Sequence, residues 1–141
     1  MNIESLLEQM TLQEKIGQLV QILPSVYDPQ TSDTVTGPVA QLMEESGLTE
    51  ENRFELGSVI GINQAEQALR IQQNYLKHNR LGIPLLFMAD IVHGHRTIYP
   101  VPLALASMWD ISEMELMARQ SAIEAAASGL HVTFSPMVDL V

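Results

Sequence analysis

The stretch that decides the fold is IPLLFMAD, which runs from Ile83 to Asp90. Seven apolar residues stand together in it without alternating with polar ones, and an acid ends the run. Continuous apolar runs of this length are typical of strands that are covered on both faces, as in parallel sheets. Pro84 lies near the start, where a strand tolerates proline. We therefore predict a buried strand over residues 83–89.

Similar segments lie on both sides of this strand. Residues 58–62 form a short β-branched run bounded by glycine, which predicts a second buried strand. A helix to about residue 79 follows, with Asn63 and Glu66 as its cap pair, and residues 90–110 are predicted to be a loop. Ser112 and Glu115 then predict a capping box for a helix ending near residue 128, before a strand-like segment at 132–137. Strands separated by helices predict a parallel α/β sheet.

The amino-terminal part has a different pattern. Residues 2–22 carry apolar residues at helical spacing, which predicts helix, with a capping box at Thr11 and Glu14 where a second helix could begin. Residues 24–37 have loop chemistry, residues 39–46 predict a short helix, and residues 48–55 are polar.

Composition excludes several classes of protein. The chain has 141 residues, 46% of them apolar, no Cys and a formal net charge of −10, unlike disordered, collagen-like or disulfide-stapled chains. Its seven basic residues include no adjacent pair, so we expect neither nucleic-acid nor anionic-membrane binding. No apolar run approaches the ~18 residues of a membrane span. No secretory signal is visible and Cys is absent, so we expect a cytoplasmic protein.

A concentration of functional side chains follows the deciding strand. Asp90, His93, His95 and Arg96 lie within seven residues, at the strand end where parallel α/β folds bind ligands. These residues could simply satisfy loop backbone groups, or the two histidines and Asp90 could bind Zn²⁺ as in a metal-dependent amidohydrolase. They could also bind a ligand with several hydroxyls, such as a sugar, because a carboxylate accepts vicinal hydroxyl protons. Spacing alone leaves all three interpretations open.

The same residues belong to a longer resemblance. Residues 81–96 resemble the signature block of glycoside hydrolase family 3, the β-glucosidase family, and further similar blocks occur in order along the chain. These blocks are residues 12–19, 99–107, 109–110, 124–130 and 133–139. The resemblance implies a retaining exo-glycosidase that needs no metal or cofactor, most similar to the bacterial β-glucosidases. It also implies a (β/α)₈ TIM-barrel-like fold, of which this chain would hold about three βα units.

The resemblance assigns roles to individual residues. Asp90 matches the aspartate that holds hydroxyls of the non-reducing sugar, His93 and His95 match the loop that shapes that pocket, and Arg96 is a supporting candidate. The family's nucleophile and acid/base stand in later blocks, neither of which occurs here, so Asp139 is not paired with Asp90. We therefore expect this chain alone to be inactive. The alternatives are a non-catalytic sugar-binding or assembly piece and, less favoured, the metal-dependent hydrolase using His93 and His95.

The resemblance also changes how the length is understood. Residues 1–56 would be a helical segment leading into the barrel and residues 57–141 its first β/α units, whereas a complete barrel takes about 250 residues. An incomplete barrel leaves an apolar sheet edge uncovered, which predicts an oligomer or a complementing chain as partner. The substrate of the complete enzyme would be a β-glucoside or an oligosaccharide. We expect Trp109 to pack at a helix start.

Overall fold

A parallel four-stranded sheet organises the chain. The structure, a computed structural model, describes residues 2–28, 43 and 45–138. In these ranges the strands are β1 (Gln21–Ile22), β2 (Ser58–Ile60), β3 (Leu86–Ala89) and β4 (Val132–Thr133), and they lie side by side in that order. All three pairings are parallel, which confirms the predicted α/β fold and places β3 between β2 and β4.

Helices connect the successive strands. The described ones are α1 (Ile3–Gln9), α2 (Leu12–Gly17), α3 (Ala65–His78), α4 (Pro102–Ser107) and α5 (Ile111–Ala127), with 3₁₀ turns at Pro24–Val26 and Asn52–Glu55. Helix α3 carries the chain from β2 to β3, and α4 with α5 carries it from β3 to β4. A parallel pair requires such a crossover, so the helices follow from the strand pairing.

The core lies between the sheet and α3. Val59 of β2 pairs in register with Phe87 of β3, and both side chains are almost fully buried. Ile71 and Tyr75 of α3 are buried as well. The Tyr75 hydroxyl donates to the Leu56 carbonyl at 2.6 Å, so its polar end is satisfied inside the core. Burial of each such side chain contributes about 1.5–3 kcal/mol to the free energy of folding. This burial holds β3 in place, and Asp90 follows directly at the carboxyl end of β3.

The prediction of helix over residues 2–22 is wrong beyond residue 17. Helix α2 ends there because the backbone must run beside β2: Gly57 donates its amide to the Gly17 carbonyl at 2.9 Å. A Cβ on Gly17 would lie 2.5 Å from the Glu55 carbonyl oxygen, so only glycine permits this approach. The next residues, Gln21–Ile22, form the edge strand β1. The predicted capping box at Thr11 and Glu14 is confirmed.

An ion pair fixes α2 to the chain after α3. Arg80 donates to both carboxylate oxygens of Glu14, at 2.9 and 2.8 Å, and also to the Gln9 carbonyl at 2.8 Å. Glu14 is buried, and the hydrogen bond from Arg80, supported by those from Thr11, lowers its pKa to about 2 despite the opposing effect of burial. A two-point Arg–carboxylate contact of this kind holds two elements in a defined orientation.

Two predicted helix starts are wrong, and one helix was not predicted. Helix α3 begins after Gln64, whose side chain makes no capping hydrogen bond, instead of using Asn63 and Glu66. Helix α5 begins after Asp110, which accepts from the amides two and three residues later, so Ser112 is not the cap. Helix α4 lies inside the predicted loop of residues 90–110. The predicted helix over residues 39–46 lies mostly outside the described residues.

Several large apolar side chains remain on the surface. Leu19 is 88%, Leu103 83%, Trp109 93% and Ile111 81% exposed. Trp109 therefore does not pack at the helix start as expected, and its backbone lies in the left-handed region at φ 56°. Among the described helices, none combines the length and apolar character needed to cross a membrane.

Candidate functional site

Asp90 is the first residue beyond β3, at the carboxyl edge of the sheet. Its side chain is exposed, and its carboxylate has no hydrogen-bond or ion-pair partner among residues 2–28, 43 and 45–138. Its neighbours Ala89 and Ile91 are both buried. In an extended chain successive side chains point to opposite sides, so burial of these two directs Asp90 away from the core. Its carboxylate is thus free to accept hydrogen bonds from a ligand.

The end of β4 fixes the backbone on both sides of Asp90. The Phe134 amide donates to the Ala89 carbonyl at 3.3 Å, and the Ile91 amide donates to the Thr133 hydroxyl at 3.3 Å. The Ser135 hydroxyl donates to the Ile91 carbonyl. The hydroxyls of Thr133 and Ser135 therefore extend the strand ladder beyond its last backbone bond and hold Asp90 in place without contacting its carboxylate.

The next residues form a tight loop, residues 93–99, whose two ends bond to each other. The Tyr99 amide donates to the His93 carbonyl at 2.8 Å, and His93 Nδ1 lies 3.0 Å from the Tyr99 carbonyl oxygen. Gly94 has φ 118°, and a Cβ there would lie 2.0 Å from the Thr97 carbonyl oxygen. This position therefore requires glycine, because a side chain would meet both backbone strain and a direct clash.

Helix α5 holds this loop at its tip. Glu124 accepts from the amides of Arg96 and Thr97, at 2.9 and 2.8 Å, and from the Thr97 hydroxyl at 2.6 Å. The hydroxyl and amide of Thr97 are the main causes that lower the pKa of Glu124, so its carboxylate is charged at neutral pH. Four residues later, the hydroxyl of Ser128 lies 2.9 Å from His95 Nε2.

The comparisons with known proteins agree with this geometry. A family model described as "Glycosyl hydrolase family 3 N terminal domain" matches residues 11–141. The chain belongs to glycosyl hydrolase family 3.

Solved structures of a β-glucosidase are similar over almost the whole chain. The structure of the β-glucosidase from Listeria innocua in complex with glucose is 45% identical with a TM-score of 0.86, covering 100% of this chain and 20% of that one. A mutant of the Listeria innocua enzyme in complex with laminaribiose is 45% identical over 96% of this chain and 19% of its own, with a TM-score of 0.83.

Relatives known by sequence carry two different names. "Periplasmic beta-glucosidase" from Salmonella typhimurium is 32% identical over 98% of this chain and 16% of its own length. "Beta-xylosidase" from Formosa agariphila is 32% identical over 53% of this chain and 12% of its own. The chain thus spans a fifth or less of the length of these relatives.

The four predicted site residues occupy two structural units. Asp90 lies at the strand end, whereas His93, His95 and Arg96 belong to the loop that α5 holds. The exposed guanidinium of Arg96 has no partner in the described parts of the chain, because Glu124 bonds to its backbone amide instead. Asp139 lies outside the described residues.

The interpretation as a metal site has no support from the geometry of the described ranges. No group of three His, Cys, Asp or Glu side chains in them is placed to hold a metal ion. The free carboxylate of Asp90 can accept hydrogen bonds from a ligand with hydroxyl groups.

Sequence reasoning gave no role to Glu124 and Ser128. Both stand in the family block of residues 124–130, as the polar ends of the segment EAAAS. Residues four apart lie on the same helix face. Two polar residues one turn apart, with three alanines between them, were the sequence pattern that could have indicated a helix face in contact with a polar loop.

Proposed function

We propose that this chain is the amino-terminal portion of a retaining, exo-acting β-glucosidase. The complete enzyme would hydrolyse terminal, non-reducing β-D-glucosyl residues, and Asp90 would bind hydroxyls of the terminal sugar. The observation that carries this proposal is the free, exposed carboxylate of Asp90, fixed at the carboxyl end of a central parallel strand. Family membership and the 45% identity to a β-glucosidase that was solved with glucose support it.

The chemistry of a retaining glycosidase defines what this chain would contribute. Such enzymes use a carboxylate nucleophile and a carboxyl acid/base on either side of the scissile bond. In our proposal both groups belong to the rest of the complete enzyme, while Asp90 orients the sugar between them. His93, His95 and Arg96 would line the same pocket. The 141-residue chain alone would then bind sugar at most, and turnover of an aryl β-glucoside by it would contradict the proposal.

The decisive variant is Asp90→Asn in the complete enzyme. Asparagine keeps the size of the side chain but loses the charged hydrogen bonds to sugar hydroxyls, so kcat/KM for an aryl β-glucoside should fall by more than about 2 kcal/mol of transition-state stabilisation. Glu66→Gln, which neutralises an exposed carboxylate at the start of α3, is the control and should leave kcat/KM unchanged. An unchanged kcat/KM in Asp90→Asn would refute the role of Asp90.

Sugar specificity needs its own comparison. The Salmonella relative is named a β-glucosidase and the Formosa relative a β-xylosidase. Aryl β-glucoside, β-xyloside and β-N-acetylglucosaminide should therefore be assayed side by side. We expect the highest kcat/KM with the glucoside, and a preference for either of the others would correct the proposed substrate.

The exposed apolar side chains support a proposal about partners. Leu19, Leu103 and Ile111 are more than four-fifths exposed, and exposed apolar side chains that form a patch usually mark a surface that another protein covers. We propose that the 141-residue chain on its own forms an oligomer or pairs with a complementing chain. Sedimentation velocity that shows a monodisperse monomer would contradict this.

The cellular location is also a proposal. The absence of Cys fits a reducing cytoplasm, whereas the Salmonella relative is named periplasmic. Fractionation of cells that express the complete protein should place it in the cytoplasm, and recovery from the periplasm would correct this.

A further inference from the structure

We propose that Glu124 is a positioning residue of the sugar pocket: it fixes the backbone of the loop over residues 93–99, which would form a wall of the pocket next to Asp90. This inference rests on the proposed β-glucosidase function. Glu124 itself would not touch the sugar. It would act through the loop, by setting where His95 and Arg96 lie.

The contacts of Glu124 all go to one short piece of that loop. One carboxylate oxygen, Oε2, accepts from the amides of Arg96 and Thr97, and the other, Oε1, accepts from the Thr97 hydroxyl. All three distances lie between 2.6 and 2.9 Å, as is usual for bonds to a charged acceptor. Two successive amides that bond to a single oxygen fix the backbone conformation at the loop tip.

Ser128 adds a second attachment one helical turn further along α5. Its side chain is buried, and its hydroxyl lies 2.9 Å from His95 Nε2. Within the loop, the bonds between His93 and Tyr99 close the base, and Gly94 permits the sharp turn. The loop is therefore fixed at its base by the bonds between His93 and Tyr99, and its tip is held by Glu124 and Ser128 of α5.

This arrangement keeps the charge of Arg96 available. A glutamate next to an arginine would ordinarily form an ion pair with the guanidinium, which would remove that group from ligand binding. Here the carboxylate of Glu124 accepts a hydrogen bond from the backbone amide of Arg96 instead, and the guanidinium stays exposed. A carboxylate that is satisfied entirely by neutral donors in the loop that follows Asp90 indicates a positioning role.

The position of Glu124 also separates this role from support of the core. Ser121 and Ala125 form the buried side of the same part of α5, whereas Glu124 is only half-buried and faces the loop. Replacing it should therefore loosen the loop and leave the packing of α5 on the sheet intact. Amide protection in the loop and in the core can therefore be measured separately.

The test compares four variants of the complete enzyme. Glu124→Ala removes all three acceptor contacts, and we expect kcat/KM for an aryl β-glucoside to fall about 10- to 100-fold, as for several lost bonds to a charged group. Glu124→Gln keeps one acceptor oxygen and should recover part of that loss. Thr97→Val removes only the hydroxyl donor to Oε1 and should cost less than Glu124→Ala. Glu115→Ala, at an exposed position on the same helix, is the matched control and should behave as wild type.

Amide hydrogen exchange on the same proteins gives a readout that does not depend on activity. In Glu124→Ala the amides of Arg96 and Thr97 should lose protection, while those of β3 should not change. Unchanged protection at residues 96 and 97 would show that Glu124 does not hold this part of the loop. Lost protection with full kcat/KM, or a loss that Glu124→Gln does not reduce, would refute the positioning role. A wild-type enzyme with no activity on β-glucosides would instead refute the proposed function, and the positioning role of Glu124 with it.

Discussion

The ion pair between Glu14 and Arg80 makes the stability of the chain depend on pH in a defined way. The substitution that tests this is Glu14→Gln. Glutamine can still accept from the Thr11 amide through its carbonyl oxygen, so the capping contact is kept while the charge is lost. A carboxyl pKa of about 2 in place of 4.5 corresponds to about 3 kcal/mol as an upper limit. The Arg80 side chain is 56% exposed, so solvent screening should reduce the effect to about 1–2 kcal/mol.

The sign of the pH dependence follows from the lowered pKa. The stabilisation is fully present above pH 4.5, the ordinary value, and disappears as the pH falls towards about 2, where Glu14 is protonated in the folded state too. Urea unfolding of the 141-residue chain, followed by circular dichroism at several pH values, measures the free energy of unfolding. The difference in this free energy between wild type and Glu14→Gln should shrink as the pH falls from 4.5 towards about 2. Glu8→Gln, an exposed carboxylate on α1, is the control. Equal stability of wild type and Glu14→Gln at pH 7, or a difference that persists undiminished near pH 2, would refute the reasoning.

Two further substitutions test the loop and the surface. Gly94→Ala should destabilise the chain by more than about 2 kcal/mol and lower sugar affinity, because φ 118° and the Thr97 carbonyl both oppose a side chain. Gly82→Ala, at φ 65° with open space around it, should cost only about 1 kcal/mol, and equal costs at the two positions in urea unfolding would contradict the clash. Trp109→Asn should change stability by less than about 1 kcal/mol, because the indole is 93% exposed and asparagine tolerates a positive φ. A loss of about 3 kcal/mol or more, as for a buried tryptophan, would show that the side chain is packed.

The parallel sheet was predictable because its signals are local. The continuous apolar run before Asp90 and the β-branched run at residues 58–62 both indicated buried strands, and both contain strands in the structure. The edge strand β1 was not predictable in this way, since a strand of two residues has no periodicity. The apolar residues just before β1 continue the helical spacing of α2, although Leu19 is exposed. Helix α2 ends because Gly17 lies close to Glu55, a contact that the spacing does not show.

The candidate site was predictable only in part, for a similar reason. Asp90 and the histidines follow a strand end, and this position alone marked them as candidates. The contacts that hold Asp90 and the loop join residues far apart in sequence: Glu124 bonds to Thr97 of the loop, and Thr133 bonds to Ile91 beside Asp90. Such pairs become visible only once the sheet brings β4 and α5 next to β3. The helix start at Asp110 was missed because Asp110 and Ser112, on either side of Ile111, could each serve as the cap, and the structure uses the earlier one.

The exposed tryptophan has a practical consequence for anyone who works with this chain. Trp109 is the single tryptophan in the sequence, and almost all of its surface already faces solvent in the folded state. Its fluorescence should therefore change little when the core unfolds. It should respond strongly when protein covers the surface around α4. The chain thus carries an intrinsic optical probe of association, with no label needed, that distinguishes assembly from folding in a single emission spectrum.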